Sequence, residues 1–388
     1  MPNCAASRLI LESFSESIVT EVARDALREC GGKVTCGFVF TSSDYAPHLE
    51  DFLELVQVHG HVPVLAGSSG MGLVGTGTEA EHATGFSLLL LNLPETTVHP
   101  VRLPVLDEDE SFDAAGIHAL AGRGADQCTA WIVVANPFQL PVEPWLTAWN
   151  AAWPGIPAVG GLASGGRTGD QCFVFHDREV IEGGLALGFA GGVRVDTLVS
   201  QGCRPVGEPF TITGAEGHLV TTLGSRPAYS VLDETFGSLT AADKQIASGN
   251  LFVGLAMSEY LEEFKTGDFL IRNLLGGDPQ AGVLAIGAHP RIGQTMQFQL
   301  RDRASADAEL RHLVNEAITA GVKPIASLVF PCSGRGRHLF GTPNHDAGVL
   351  RDLFGNHPSA GFFCNGEIGP VAAKNFVHGY TASMALFS

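Results

Sequence analysis

Reactive side chains concentrate near the C-terminal end of the chain. Residues 332–346 hold Cys332, Arg335, Arg337, His345 and Asp346, and residues 364–367 hold Cys364, Asn365 and Glu367. Arg335 and Arg337 flank Gly336. Two guanidiniums on a glycine-bearing loop can clamp a carboxylate or phosphate in bidentate fashion. They can equally pair with acidic neighbours such as Glu367 or Asp346, because a buried Arg without a partner is costly. Glu367 sits in Gly366-Glu367-Ile368-Gly369-Pro370. It can bind a ligand amine, act as general acid or base, or anchor the arginine loop. Asn365 offers a donor and an acceptor to a ligand amide. Cys332 or Cys364 with His345 would make a nucleophile and its base, but activation needs a lowered thiol pKa and access. Cys332, His345, Asp346 and Glu367 match no zinc-ligand spacing, so no metal is expected.

Two more arginines are binding candidates. In Gly267-Asp268-Phe269-Leu270-Ile271-Arg272-Asn273, a strand would put Asp268, Leu270 and Arg272 on one face. Arg272 then either bonds Asp268 or points with Arg291 into a central cavity. The string Gly70-Met71-Gly72-Leu73-Val74-Gly75 spells G-x-G-x-x-G but runs on to a strand through Gly85. A dinucleotide fingerprint needs a helix there, so a β-turn region is the expectation. No P-loop is present, and none of the 14 histidines follows a C-x-x-C. No cofactor is expected; haem held by a single histidine remains an alternative.

These residues need a scaffold that brings two loops together. Ala326–Phe330 reads as a strand entering the first loop, with helices over 306–320 and 347–354. Pro358 leads through a glycine turn to a closing strand over 380–387. The same order of helix, strand, helix, proline, glycine turn and strand recurs earlier. Helices over 17–30 and 45–59 flank a strand over 34–40; Pro63, a glycine-rich turn and the strand 85–93 follow. Helices over 113–120 and 144–153 flank a strand over 130–135; Pro157, a glycine-rich turn and the strand 183–190 follow. The prolines are 94 and 201 residues apart, so a diverged copy is expected in 226–300. About four pseudo-repeated α/β units follow, in two domains with mixed β-sheets flanked by helices. The junction is placed near 195, giving domains 1–195 and 196–388. Residues 1–17 read as a weak leader, and 211–223 as a β-hairpin.

Composition narrows the function classes. The chain has 388 residues, 45% hydrophobic and 16% charged, against roughly one-quarter charged in soluble domains. A net charge of −18 excludes nucleic acid as a partner and disfavours anionic membranes. There is no secretory signal and no apolar run long enough to span a bilayer. The eight cysteines form no C-x-x-C pair and read as reduced, mostly core-filling thiols of a cytoplasmic protein.

The chain resembles bacterial proteins of the FIST family (F-box and intracellular signal transduction proteins). The strings that carry the resemblance include Arg194-Val195-Asp196-Thr197, Gln201-Gly202-Cys203-Arg204-Pro205, Gly207-Glu208-Pro209 and Arg291-Ile292-Gly293-Gln294-Thr295. With them go the stretch 267–273, Gly334-Arg335-Gly336-Arg337, Gly366 to Pro370, and His378-Gly379-Tyr380-Thr381-Ala382-Ser383. The resemblance covers nearly the whole chain and implies an N-terminal and a C-terminal FIST domain. It implies a sensory module for small ligands, with amino acids suggested; some members bind haem and sense nitric oxide. It supplies no catalytic set. No F-box, kinase, receiver or cyclase segment is attached, so output is expected through a separate signalling protein.

The expectation is therefore a sensory protein rather than an enzyme. It would bind a small polar, anionic metabolite through Arg335, Arg337, Asn365, Glu367, Arg272 and Arg291. A thiol-dependent enzyme using Cys332 or Cys364 is one alternative. A protein-interaction adaptor without a small ligand is the other.

Overall fold

The computed structural model describes residues 2–106, 111–259, 264 and 267–388. One element order, β-α-β-α-β-β-β-β, occurs three times, the third copy carrying one extra short helix. The first copy is β1 (Cys4–Ile10), α1 (Glu16–Glu29), β2 (Cys36–Thr41), α2 (Leu49–His59), β3 (Leu65–Ser69), β4 (Gly72–Gly75), β5 (Thr78–Glu81) and β6 (Phe86–Asn92). The second is β7 (Thr96–Leu103), α3 (Ala114–Ala121), β8 (Ala130–Ala135), α4 (Val142–Ala152), β9 (Ala158–Leu162), β10 (Val174–His176), β11 (Glu179–Ile181) and β12 (Gly184–Gly191). The third opens with β13 (Val195–Ser200) and is then interrupted. The insertion holds β14 (Cys203–Glu216), β15 (Leu219–Leu223), β16 (Arg226–Pro227), α5 (Ala228–Ser238), α6 (Ala241–Asn250), β17 (Leu251–Ala256), β18 (Phe269–Asp278), β19 (Val283–Ile286) and β20 (Thr295–Arg301). The third copy resumes with α7 (Arg303–Thr319), β21 (Ala326–Pro331), α8 (Gly336–Phe340), α9 (His345–Phe354), β22 (Ser359–Phe362), β23 (Glu367–Val371), β24 (Lys374–His378) and β25 (Ala382–Phe387).

The three copies build three six-stranded sheets of one topology: β1-β6-β2-β3-β10-β11, β7-β12-β8-β9-β23-β24 and β13-β25-β21-β22-β4-β5. In each, the third and fourth strands are the parallel pair. The last two strands are a hairpin contributed by another copy. The glycine turns read from the sequence are thus the starts of these exchanged hairpins.

The central strands β2, β8 and β21 are buried along their whole length, so they read as continuous apolar runs without alternation. Beside each lies a glycine: Gly67 opposite Val39, Gly160 opposite Val133, Gly361 opposite Val329. A Cβ at these glycines would stand 1.6, 1.7 and 1.8 Å from the valine carbonyl oxygen. Only glycine allows so close a backbone approach. Phe38 and Phe40, Ile132 and Val134, and Leu328 and Phe330 from the three sheets meet in one core. Helix α1 packs through Val19, Ala23, Ala26 and Leu27, the i, i+4, i+7, i+8 stripe of an amphipathic helix.

The fold class is the expected α/β with sheets flanked by helices in two units. One unit is residues 1–199 with 311–388, the other 200–310. The junction expected at 195 lies four residues before the observed boundary, but the second expected domain, 196–388, is not one packing unit. Residues 311–388 belong with the N-terminal copies because β22 pairs with β4 and β23 with β9. The expected copy over 226–300 is part of a fourth sheet, β14-β20-β17-β18-β19-β15-β16, that spans residues 203–301. Its pairings are all antiparallel, so it lacks the parallel pair of the other three. Residues 1–17 hold more than a leader: β1 is an edge strand paired with β6, and its mixed burial leaves no clean period-2 signal.

Candidate functional site

Strand β21 delivers the first loop. After Pro331, Cys332 bridges Cys364 of the neighbouring segment in parallel register. The chain then turns so that Arg335 points inward and Gly336 takes a left-handed φ of 57°. A Cβ at Gly336 would meet the Glu81 carboxylate at 2.7 Å. Short α8 follows, and α9 begins after Asn344, itself left-handed with φ 65°.

Arg335 is fully buried and paired with buried Asp346, Nε to Oδ2 at 2.7 Å and Nη2 to Oδ1 at 2.8 Å. The His345 Nδ1 lies 2.9 Å from the same Oδ1, and the His345 ring stacks on Phe340 with centroids 3.3 Å apart. Glu79 of β5 caps the start of α9: its Oε1 accepts the Ala347 N–H at 2.9 Å and its Oε2 the His345 N–H at 3.1 Å. A carboxylate there complements the positive end of the helix. Glu81, two residues on along the same strand, accepts the Arg337 N–H at 2.9 Å.

The second loop supplies Glu367, fully buried at the start of β23. Its Oε2 accepts the Thr381 N–H at 3.1 Å. Its Oε1 has no hydrogen bond of ordinary geometry among the described residues. The Cys332 thiol, a weak donor, neighbours the carboxylate. Ser333 Oγ donates to the Cys364 carbonyl at 2.7 Å, tying the two loops together.

Burial sets the proton affinities. It pushes the Glu79 carboxyl up to about 7, helped by the Asp346 charge and opposed by the Ala347 N–H, His345 and Arg335. It drives Glu367 well above the usual carboxylate range against the Thr381 N–H, Cys332 and Arg335. Burial alone would raise Asp346 too, but Arg335 and His345 hold that carboxyl well below its ordinary value. The cluster therefore combines an Arg335–Asp346 ion pair with two carboxyls, Glu79 and Glu367, that hold their protons to higher pH than usual.

Of the residues singled out in the sequence, Arg335, Cys332, Cys364, His345, Asp346 and Glu367 do come together. Their roles differ from a clamp. The donors that Arg335 would offer a ligand carboxylate are taken by Asp346. Arg337 is mostly exposed, with its Nε 4.0 Å from Glu81 Oε1, and the Asn365 side chain is exposed. Cys364 is fully buried, and burial, Glu367 and Cys332 all raise its thiol well above the ordinary range, which makes it a poor nucleophile. Arg272 and Arg291 belong to the other unit. Arg272 on β18 is half-buried and donates to the Ile271 carbonyl at 3.0 Å, and Arg291 is exposed before β20. The six expected binding residues thus form no single cluster within either unit.

Sequence reasoning missed Glu79 and Glu81. Their acid–apolar–acid alternation just past the glycine turn, in a chain with few charges, was the available signal. Between the loops lies a small hollow lined by Met71, Gly72, Glu81, His82, Ser333 and Phe363. Its volume of about 10 Å³ is the room of one water.

The FIST N domain model matches residues 35–226, and the FIST C domain model matches residues 228–370. The uncharacterized protein Rv0628c of Mycobacterium tuberculosis is 37% identical over 372 residues, 95% of each chain. The uncharacterized protein Mb0898c of Mycobacterium bovis is 42% identical over 257 residues, 66% of this chain and 67% of that one. Among solved structures, a cyanuric acid hydrolase from A. caulinodans aligns over 99% of both chains with 9% identity and a TM-score of 0.33. FIST domains are associated with signal transduction and small-ligand sensing. With its N and C domain models together spanning most of its length and a relative alike almost end to end, the chain belongs to the FIST family.

Proposed function

We propose that this chain is a sensory protein for a small zwitterionic metabolite of the amino-acid type, taken up at the hollow between the 332–346 and 361–370 loops. The observation that supports this reading most is the set of four ionisable groups at one loop junction, Arg335, Asp346, Glu79 and Glu367, each 5% exposed or less. Burying ions is expensive, and clusters of perturbed carboxyls are concentrated at functional sites. In this reading Arg335 is a positioning residue that fixes α9 through Asp346. Exposed Arg337 receives the ligand carboxylate. Glu81 and the Ser333 hydroxyl receive its ammonium group, and Met71 and Phe363 line the apolar side. The hollow admits one water as it stands, so uptake requires the short α8 segment to shift. That shift is the event a separate signalling partner would read.

A thermal-shift screen of amino acids and keto acids tests this, since a ligand of the native state raises its melting temperature. Calorimetry on Arg337→Ala and Glu81→Gln follows. The expected result is a stabilising amino acid whose binding both variants lose while their own melting temperatures stay near that of the parent. Absence of any stabilising amino acid refutes the reading and leaves the adaptor alternative.

A further inference from the structure

Cys332 and Cys364 are the two cysteines placed on adjacent chain segments in register. Both are reduced. Cys364 N–H donates to the Pro331 carbonyl at 2.7 Å, and Ser333 N–H donates to the Cys364 carbonyl at 2.9 Å, which fixes Cys332 directly beside Cys364. Residues opposite one another in such a pair share a face. Neighbouring strands lie about 4.7–4.9 Å apart, within the Cα separation of about 4.4–6.8 Å that a disulfide bridges. A Cβ separation near that strand spacing exceeds the preferred value of about 3.8 Å. A bond formed here is therefore strained and easily reduced again.

We infer that Cys332 and Cys364 form a reversible dithiol–disulfide couple oxidised by a peroxide. The two thiols have complementary access. Cys332 is half-buried, so a small oxidant reaches it; Cys364 is fully buried, with its Sγ 3.3 Å from the Phe362 carbonyl. The Cys332 sulfur attacks one peroxide oxygen, the O–O bond breaks, and the thiol proton leaves with the departing oxygen as water. The product is a sulfenic acid at Cys332. The Cys364 sulfur then attacks the sulfenic sulfur, the S–O bond breaks, and the Cys364 proton completes a second water. Burial shields Cys364 from the oxidant, so Cys332 is oxidised first and the register holds Cys364 beside it as the resolving partner; its raised proton affinity makes this second step the slow one. The new bond joins the two loops that carry Arg335 and Glu367, so oxidation reports directly to the candidate site.

The test treats the full-length protein with stoichiometric hydrogen peroxide, quenches with an alkylating agent and maps the digest by mass spectrometry without reduction. The expected product is a peptide pair linking Cys332 to Cys364, lost on adding dithiothreitol and retained in Cys4→Ser. In Cys364→Ser, Cys332 is expected as a sulfenic acid trapped by dimedone. A native protein in which Cys332 is carried to sulfinic acid, or left untouched, with no 332–364 link overturns the inference. So does a peroxide-induced link confined to Cys4 and Cys30, the other neighbouring cysteines.

Discussion

Glu79→Gln isolates the electrostatics of the buried cluster. The Glu79 carboxyl rises from 4.5 to about 7 on folding. A raised carboxyl contributes stability that is fully present below the unfolded value and lost as pH climbs through the folded one. A tenfold change in proton affinity is worth about 1.4 kcal/mol. Most of the gap is crossed between pH 5 and pH 8, so the parent should lose roughly 2–3 kcal/mol there from this residue alone. Glutamine has the same shape and no charge. It keeps one acceptor for the α9 N–H groups and turns an amide NH₂ on the other, a pH-independent cost of about 1–2 kcal/mol. The variant should therefore be about 1–2 kcal/mol less stable than the parent at pH 5 and about 1 kcal/mol more stable at pH 8. Glu367, His176 and His357 titrate in both proteins and cancel from the difference. The four tryptophans, Trp131, Trp145, Trp149 and Trp153, all lie in one buried cluster of the unit that contains Glu79, so urea unfolding followed by their fluorescence reads the right unit. Stability curves that stay parallel from pH 5 to pH 8 would show that Glu79 is not a strained acid and refute the argument.

Asp346→Asn should destabilise by about 3–5 kcal/mol, because it leaves the Arg335 guanidinium buried without its counter-charge; urea melts of the single variant and of the Arg335→Met, Asp346→Leu double variant, expected to recover most of the loss, check this. Gly67→Ala, Gly160→Ala and Gly361→Ala should each cost at least about 1–3 kcal/mol, since all three meet a strand carbonyl below 2 Å. Near-equal losses in thermal denaturation would support the equivalence of the three copies, and one harmless substitution would break it. Arg337→Ala should change stability by less than about 0.5 kcal/mol, as a mostly exposed side chain does, which separates its ligand role from any structural one.

Much of the fold was legible because periodicity and punctuation agreed. The strand at 130–135 and the helices at 17–30 and 347–354 appear within a residue or two of their expected limits. The prolines at 63, 157 and 358 marked true equivalents, since each precedes the second parallel strand. What the sequence hid was partnership. A hairpin such as β4–β5 shows its strands in its own residues, but nothing local says that it joins β22 nearly 300 residues on. The same blindness affected the site. Cys332, Arg335 and Glu367 were visible as reactive types in glycine-bearing loops. The pairing of Arg335 with Asp346 was one of the alternatives the sequence offered, whereas the arrival of Glu79 from the first copy depended on that distant pairing.

The exchanged hairpins have a consequence for what counts as a piece of this protein. The sequence domains part between residues 226 and 228, yet a fragment ended there would hold β4 without β22 and β9 without β23. Its open sheet edges would be sticky toward any strand nearby. The exchange among the three sheets is complete only when the last residues emerge, so the two named halves are not bodies that can be cut apart.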